Sequence, residues 1–194
     1  MDNSSPLQPT LIMIRGLPGS GKSFVANKLA ETLGPEHVVI LDPDALDNTS
    51  SEYLAFSKKL SAEGVDKVLH PFRWSRKRAC DGIVDGKTVI WNQPFTDSGI
   101  FGRLVTFIEE YAKEQNVDMQ TLLVEVDIDH DTAKQRIAER KADGGHGPSD
   151  ATFDKRAVDY ESLADEYRTV SIHGKNDVDQ SVKMILEALT NATS

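Results

Sequence analysis

Eight consecutive residues, Gly16-Leu17-Pro18-Gly19-Ser20-Gly21-Lys22-Ser23, are the clearest sign of chemistry in the chain. They fit the spacing G-x-x-x-x-G-K-[ST]. Glycines in such a loop let backbone N–H groups curl round an anion, and a helix starting there adds the positive end of its dipole. Lys22 would reach the β- and γ-phosphates of a nucleotide, and the Ser23 hydroxyl would ligate Mg²⁺. The expected nucleotide-binding run is Gly16, Leu17, Pro18, Gly19, Ser20, Gly21, Lys22, Ser23 and Phe24. A tight turn that needs glycine for backbone reasons alone would explain Gly16, Gly19 and Gly21. It would not explain Lys22-Ser23 directly after them.

Asp42-Pro43-Asp44 follows the apolar run Val38-Val39-Ile40-Leu41. In an open α/β sheet, ligands bind beyond the carboxyl ends of the strands, so these carboxylates belong to the same edge as the loop. Phosphoryl transfer to a hydroxyl needs a group that orients the nucleophile and accepts its proton, which a carboxylate can do. An Asx-type turn is the plainer role for the same residues. Arg136 and Arg140 stand four apart on a helical stretch, hence on one face, just before a Gly-rich break. Guanidiniums there would stabilise charge on a phosphoryl group in transit, and surface ion pairing is the alternative.

From Lys58 to Arg78 there are seven basic and two acidic residues, with Phe72 and Trp74 interleaved. Such a patch suits an anionic small substrate or a short nucleic-acid end, with Arg73 and Arg76 as candidate contacts. An exposed amphipathic helix with Phe72 and Trp74 in the core explains it equally well.

Short apolar runs at 11–15, 38–41, 88–91, 122–126 and 169–172 must position these groups. They alternate with helical patterns at 22–33, 50–63, 72–85, 100–115, 131–142, 150–168 and 178–190. That rhythm predicts a parallel sheet covered by helices on both faces. Residues 43–86 hold more helix than a crossover needs, as a substrate-side insertion would. Residues 143–149, Asp-Gly-Gly-His-Gly-Pro-Ser, break two helices, as the hinge of a lid over about 136–150 would. The expected organisation is a disordered tail over 1–9 and one domain over 10–194.

The chain of 194 residues is 39% apolar, enough for an ordinary core. Its net charge of −9 does not advertise a long nucleic acid as partner. The lone cysteine, Cys80, excludes an internal disulfide and a zinc cluster built on paired cysteines, and reads as buried filler in a helix. The polar start has no basic or apolar stretch of a signal peptide, and no run has the length of a membrane span, so the expected setting is cytoplasmic.

Taken together, the loop at 16–23, Leu-Asp-Pro-Asp at 41–44, the pair Arg136 and Arg140, and the Gly-rich break running to Ser149-Asp150 resemble the P-loop small-molecule and polynucleotide kinases, in particular the zeta-toxin and polynucleotide-kinase group. The resemblance runs from Leu11 to about Leu189. It implies a three-layer α/β/α fold with strand order 2-3-1-4-5, ATP and Mg²⁺ as cofactors, and transfer of the γ-phosphoryl of ATP to a hydroxyl. It implies Asp44 as general base and Arg136 and Arg140 as lid arginines. Asp42 would face the waters of Mg²⁺ beside Ser23, with exchange of the two aspartates open. The acceptor is open too: a nucleotide sugar, as in zeta toxins, a nucleic-acid 5′-hydroxyl, or a small metabolite. A toxin would add an antitoxin partner, of which the sequence gives no direct sign. One departure stands out. The third strand ends in Asn92-Gln93, where many relatives place an acid. Asn92 brings no carboxylate to a metal, so these two residues are candidate substrate contacts, and an ATP-binding module without turnover is the competing expectation.

Overall fold

The computed structural model describes residues 8–191. The tail expected over 1–9 lies outside them except for its last two residues. Five strands, β1 (Thr10–Arg15), β2 (Val38–Leu41), β3 (Thr88–Asn92), β4 (Gln120–Asp127) and β5 (Thr169–His173), form one sheet in the order β2-β3-β1-β4-β5, every neighbouring pair parallel. The helices are α1 (Lys22–Leu33), α2 (Ser51–Ala62), α3 (His70–Val84), α4 (Ser98–Glu114), α5 (His130–Ala142), α6 (Asp150–Val158) and α7 (Val178–Thr190).

Side chains of a strand alternate between faces, and β1 is buried on both. Leu11 and Met13 join α3 and α4 on one side through Ala79, Cys80, Ile83, Phe101, Val105 and Ile108. Ile12 and Ile14 join α1 and α7 on the other through Val25, Leu29, Val182 and Ile185. Cys80 is buried among the first group, and burial pushes its thiol up to about 11, as filler rather than a nucleophile would be. A third cluster sits beyond the sheet edge, where Leu17 of the Gly-rich loop packs with Ile128, Ala133 and Ile137 of α5 and Phe153 of α6.

The helix expected over 150–168 stops at Val158. Tertiary contacts capture the next residues. Arg15, fully buried at the end of β1, ion-pairs with Glu125 at 3.0 Å and donates to the carbonyls of Glu161 (2.7 Å) and Phe95 (2.9 Å). Its guanidinium lies 4.2 Å from the centre of the Tyr160 ring. Glu125 in turn accepts from the Ser162 hydroxyl and the Leu163 N–H. These bonds offer the backbone more than another helical turn would. Removing one partner of a buried pair leaves an uncompensated charge, so Arg15→Met is expected to lower stability by about 3–5 kcal/mol. Arg15→Met combined with Glu125→Leu should regain only the part owed to the uncompensated charge, because the carbonyls of Phe95 and Glu161 and the N–H of Leu163 stay without their partners, with urea unfolding as the measurement.

Candidate active site

Strand register brings the site together. Ile14 of β1 pairs with Asn92 of β3, and Leu41 of β2 with Trp91, so Gly16, Asp42 and Asn92 leave the sheet side by side at its carboxyl edge. The loop then turns through left-handed glycines into α1. Gly19 has φ +83, and a Cβ there would run into the carbonyl of Ala133 on α5. Gly16 is equally confined by the carbonyl of Val126. Only glycine fits either place.

Lys22 opens α1 and is 8% exposed, its ammonium donating to the Leu17 carbonyl at 3.0 Å. Burial lowers its pKa to about 8, the nearby Arg140 and Arg156 push the same way, and Asp42 and Asp44 partly oppose them. Asp42 caps the 3₁₀ turn Pro43–Ala45, one oxygen accepting from the Asp44 N–H at 3.1 Å. Partial burial raises its pKa above the ordinary carboxylate value. The Asn92 amide donates to the other Asp42 oxygen at 2.8 Å and to the Ser23 hydroxyl at 2.9 Å. The Asn92 oxygen is buried with no hydrogen-bond partner among the described residues, as is the Ser20 hydroxyl. A buried polar atom without a partner costs about 1–3 kcal/mol and marks a place where a ligand or water is wanted.

Lys22, Ser23, Asp42, Asp44, Asn92 and Gln93 line one open cavity of about 620 Å³ with Pro18, Gly19, Gly21 and Phe24. Arg140 of α5 reaches it from the far side, with His146, Gly147 and Pro148 of the Gly-rich break and Thr152 and Arg156 of α6. The Gln93 side-chain oxygen accepts from the Trp91 indole at 3.0 Å, which leaves its NH₂ as the free end.

The structure separates several residues that the sequence groups together. Arg136 and Arg140 line different cavities. Arg136 donates to the carbonyls of Gly19 (3.3 Å) and Gly174 (3.0 Å) and lines a second cavity, of about 290 Å³, with Ser20, Phe24, His173 and Lys175. It braces the loop against the turn after β5, away from the aspartates. Arg73 and Arg76 are also elsewhere. They line a groove between α2, α3 and α4 beside Phe56, Leu60 and Tyr111, with Arg76 stacked 4.1 Å above Phe107. They do not reach the cavity of the Gly-rich loop because that face of α3 turns toward α4. Arg156 is the residue that sequence reasoning missed. Its only signal was a basic residue soon after the Gly-rich break, mirroring Arg140 before it.

A parallel sheet in the order β2-β3-β1-β4-β5, with this loop between β1 and α1, defines a P-loop NTPase. Residues 11–161 match the model of the AAA domain family, and the chain belongs to that family. No curated protein matches it. Among solved structures it is similar to a gluconokinase from Sinorhizobium meliloti 1021, at 19% identity and TM-score 0.59 over 95% of this chain and 93% of that one. A sugar kinase from Janibacter sp. HTCC2649 gives 17% and 0.57 over 94% and 95%. Chaetomium thermophilum Kti12, in complex with ADP-AlF3, gives 15% and 0.54 over 92% and 98%. At these identities the likeness is one of fold. No helix among the described residues is long and apolar enough to cross a membrane.

Proposed function

We propose that the protein is an ATP-dependent kinase that transfers the γ-phosphoryl of ATP to a hydroxyl of a small polar acceptor. The observation that carries this reading is the meeting, in one cavity, of Lys22 and the P-loop with the Asp44 carboxylate and two guanidiniums, Arg140 and Arg156. The loop N–H groups and Lys22 hold the phosphates. Asp44, exposed on the cavity wall, accepts the proton of the attacking hydroxyl. The acceptor oxygen bonds to the γ-phosphorus as the bond to the β–γ bridging oxygen breaks, and ADP leaves. Arg140 and Arg156 meet the charge on the equatorial oxygens. The helices α5 and α6, flanking the break at 143–149, serve as the lid.

The site suits Mg²⁺, which is bound by oxygen donors and comes with nucleotide phosphates. Ser23 and Asp42 are the groups that would hold it, and its role when bound is to neutralise phosphate charge. The turn after β5, with Arg136, serves the base. The likeness to a gluconokinase and a sugar kinase favours a small hydroxylated acceptor over a nucleic-acid end, and a nucleotide sugar, as in zeta toxins, is the larger acceptor to test. A second reading, an ATP-binding module without turnover, draws on Asn92 standing where an acid would.

The test is transfer from γ-labelled ATP with Mg²⁺ across a panel of sugars, polyols, nucleotide sugars and 5′-hydroxyl oligonucleotides. Label moving to one acceptor fixes the class. ATP binding with neither transfer nor slow Mg²⁺-dependent hydrolysis supports the module instead. The arginines separate by parameter. Arg140→Ala and Arg156→Ala are each expected to lower kcat by about 10²-fold with little change in ATP affinity. Arg136→Ala should weaken ATP binding while sparing kcat at saturation, as initial-rate kinetics and calorimetry would reveal.

A further inference from the structure

Arg73 and Arg76 lie outside the cavity of the Gly-rich loop, in the groove of about 300 Å³ between α2, α3 and α4. Its apolar lining is Phe56 and Leu60 of α2, Cys80 of α3, and Phe107 and Tyr111 of α4. Leu60 and Cys80 are buried, whereas Phe107 stays 39% exposed. Val84, one turn beyond Cys80 on α3, is 42% exposed, so the apolar strip runs on past the groove.

The charges in the groove do not balance. Lys77 is paired with Asp81 one turn further along α3. Arg73 and Arg76 stand three residues apart on the same face, where like charges repel. Among the described residues neither guanidinium meets a carboxylate or a carbonyl, and Arg76 only stacks 4.1 Å above the Phe107 ring. Two uncompensated cations over an apolar floor stand out in a chain of net charge −9. Arginine and aromatic side chains around a desolvated pocket are also what the centres of protein interfaces are built from. A nucleic-acid strand would call for a row of phosphate contacts and ring faces open to its bases. Here the free cations are gathered at one point, Arg76 covers one face of Phe107, and Phe56 leans on Trp74 with ring centres 5.2 Å apart.

We propose that this groove docks an acidic segment of a partner protein. One large apolar side chain enters between α2, α3 and α4, and carboxylates beside it pair with Arg73 and Arg76. Stacking on Phe107 already orients the Arg76 guanidinium, which lowers the ordering cost of a two-pronged bond to a carboxylate. The strip continuing to Val84 gives a second apolar contact one helical turn away, more length than a small ligand would use. The inference does not depend on turnover in the cavity of the Gly-rich loop.

The probe is a phage-displayed library of random peptides of about twelve residues, enough for three helical turns, selected on the full chain. Peptides rich in Asp and Glu around a Phe, Trp or Leu are expected. A labelled synthetic winner, followed by fluorescence anisotropy, should lose affinity by about tenfold or more for Arg73→Glu combined with Arg76→Glu, the direction set by charge complementarity. The same peptide with Lys in place of its acidic residues should bind the reversed variant and not the wild type, which no merely structural role of the arginines would produce. Circular dichroism checks the fold, and Arg73→Gln with Arg76→Gln replaces the reversed variant if that one does not fold. No enrichment, winners without acidic residues, or binding indifferent to both arginines overturns the proposal. So does a single-stranded oligonucleotide bound through these arginines where acidic peptides are not. Self-association seen in sedimentation and lost in the variant overturns it too, because the occupant is then a second copy of this chain.

Discussion

Replacing Lys22 with alanine is expected to lower phosphoryl transfer by about 10²- to 10³-fold, the usual effect of removing one preorganised cation or donor from developing charge. The side chain is buried and held by the Leu17 carbonyl, so its charge acts in a medium that screens it poorly. The same burial makes the residue sensitive to pH. With a pKa lowered to about 8 in the empty protein, Lys22 loses its proton first in the folded state as pH rises. ATP affinity should therefore fall from pH 7 to pH 9 in wild type and stay flat in Lys22→Ala, because only the ammonium attracts phosphate. Bound phosphates favour that ammonium, so the decline within the complex begins above 8. Folding stability moves the other way. The folded pKa lies below the unfolded value of 10.5, so the contribution of this lysine is least favourable below about 8 and improves up to 10.5. Isothermal titration across pH, with unfolding of the empty protein beside it, reads both signs.

Asn in place of Asp44 should abolish most of the remaining chemistry. A positioned general base contributes about 10²- to 10⁴-fold, and a loss of that size in kcat with ATP affinity kept is expected for Asp44→Asn. Among the described residues the Asp44 side chain makes no hydrogen bond that the change would break, so folding should survive. Asp42→Asn is the informative contrast. Its carboxylate caps the turn and receives the Asn92 amide, so its loss should disturb Mg²⁺·ATP binding before the transfer step. If Asp42→Asn loses transfer with ATP binding intact, and Asp44→Asn does not, the two roles are exchanged.

What was legible in the sequence follows from the range of the interactions involved. The P-loop, the strand cores and most helix limits depend on neighbours a few residues away. Val38–Leu41, for example, reads as a strand from its own composition. Residues 159–168 do not obey local rules, because Arg15 and Glu125, more than thirty positions upstream, capture their backbone and side chains. Helical spacing put Arg136 and Arg140 on one face, but spacing cannot know that the carbonyls of Gly19 and Gly174 will take hold of the first. The basic run around Arg73 was visible as charge, whereas its direction depends on how α3 packs on α4. Asn92 reads in the sequence as an amide at a strand end, while its double hydrogen bond requires β2 and α1 to be in place.

The third apolar cluster has a thermodynamic consequence. Leu17, inside the phosphate loop, shares one packed unit with Phe153 of α6, the helix that carries Arg156. Two parts joined through a close-packed contact cannot change their equilibria independently. Any free energy by which phosphates favour one arrangement of the loop is also felt by the helix. If loop and helix share two arrangements and phosphates favour the one in which the helix is down, then by linkage whatever holds that helix down tightens the grip on the nucleotide by the same factor. An acceptor that touches only α6 would thus strengthen ATP binding without contacting ATP, and the two ligands would reinforce each other through a leucine and a phenylalanine.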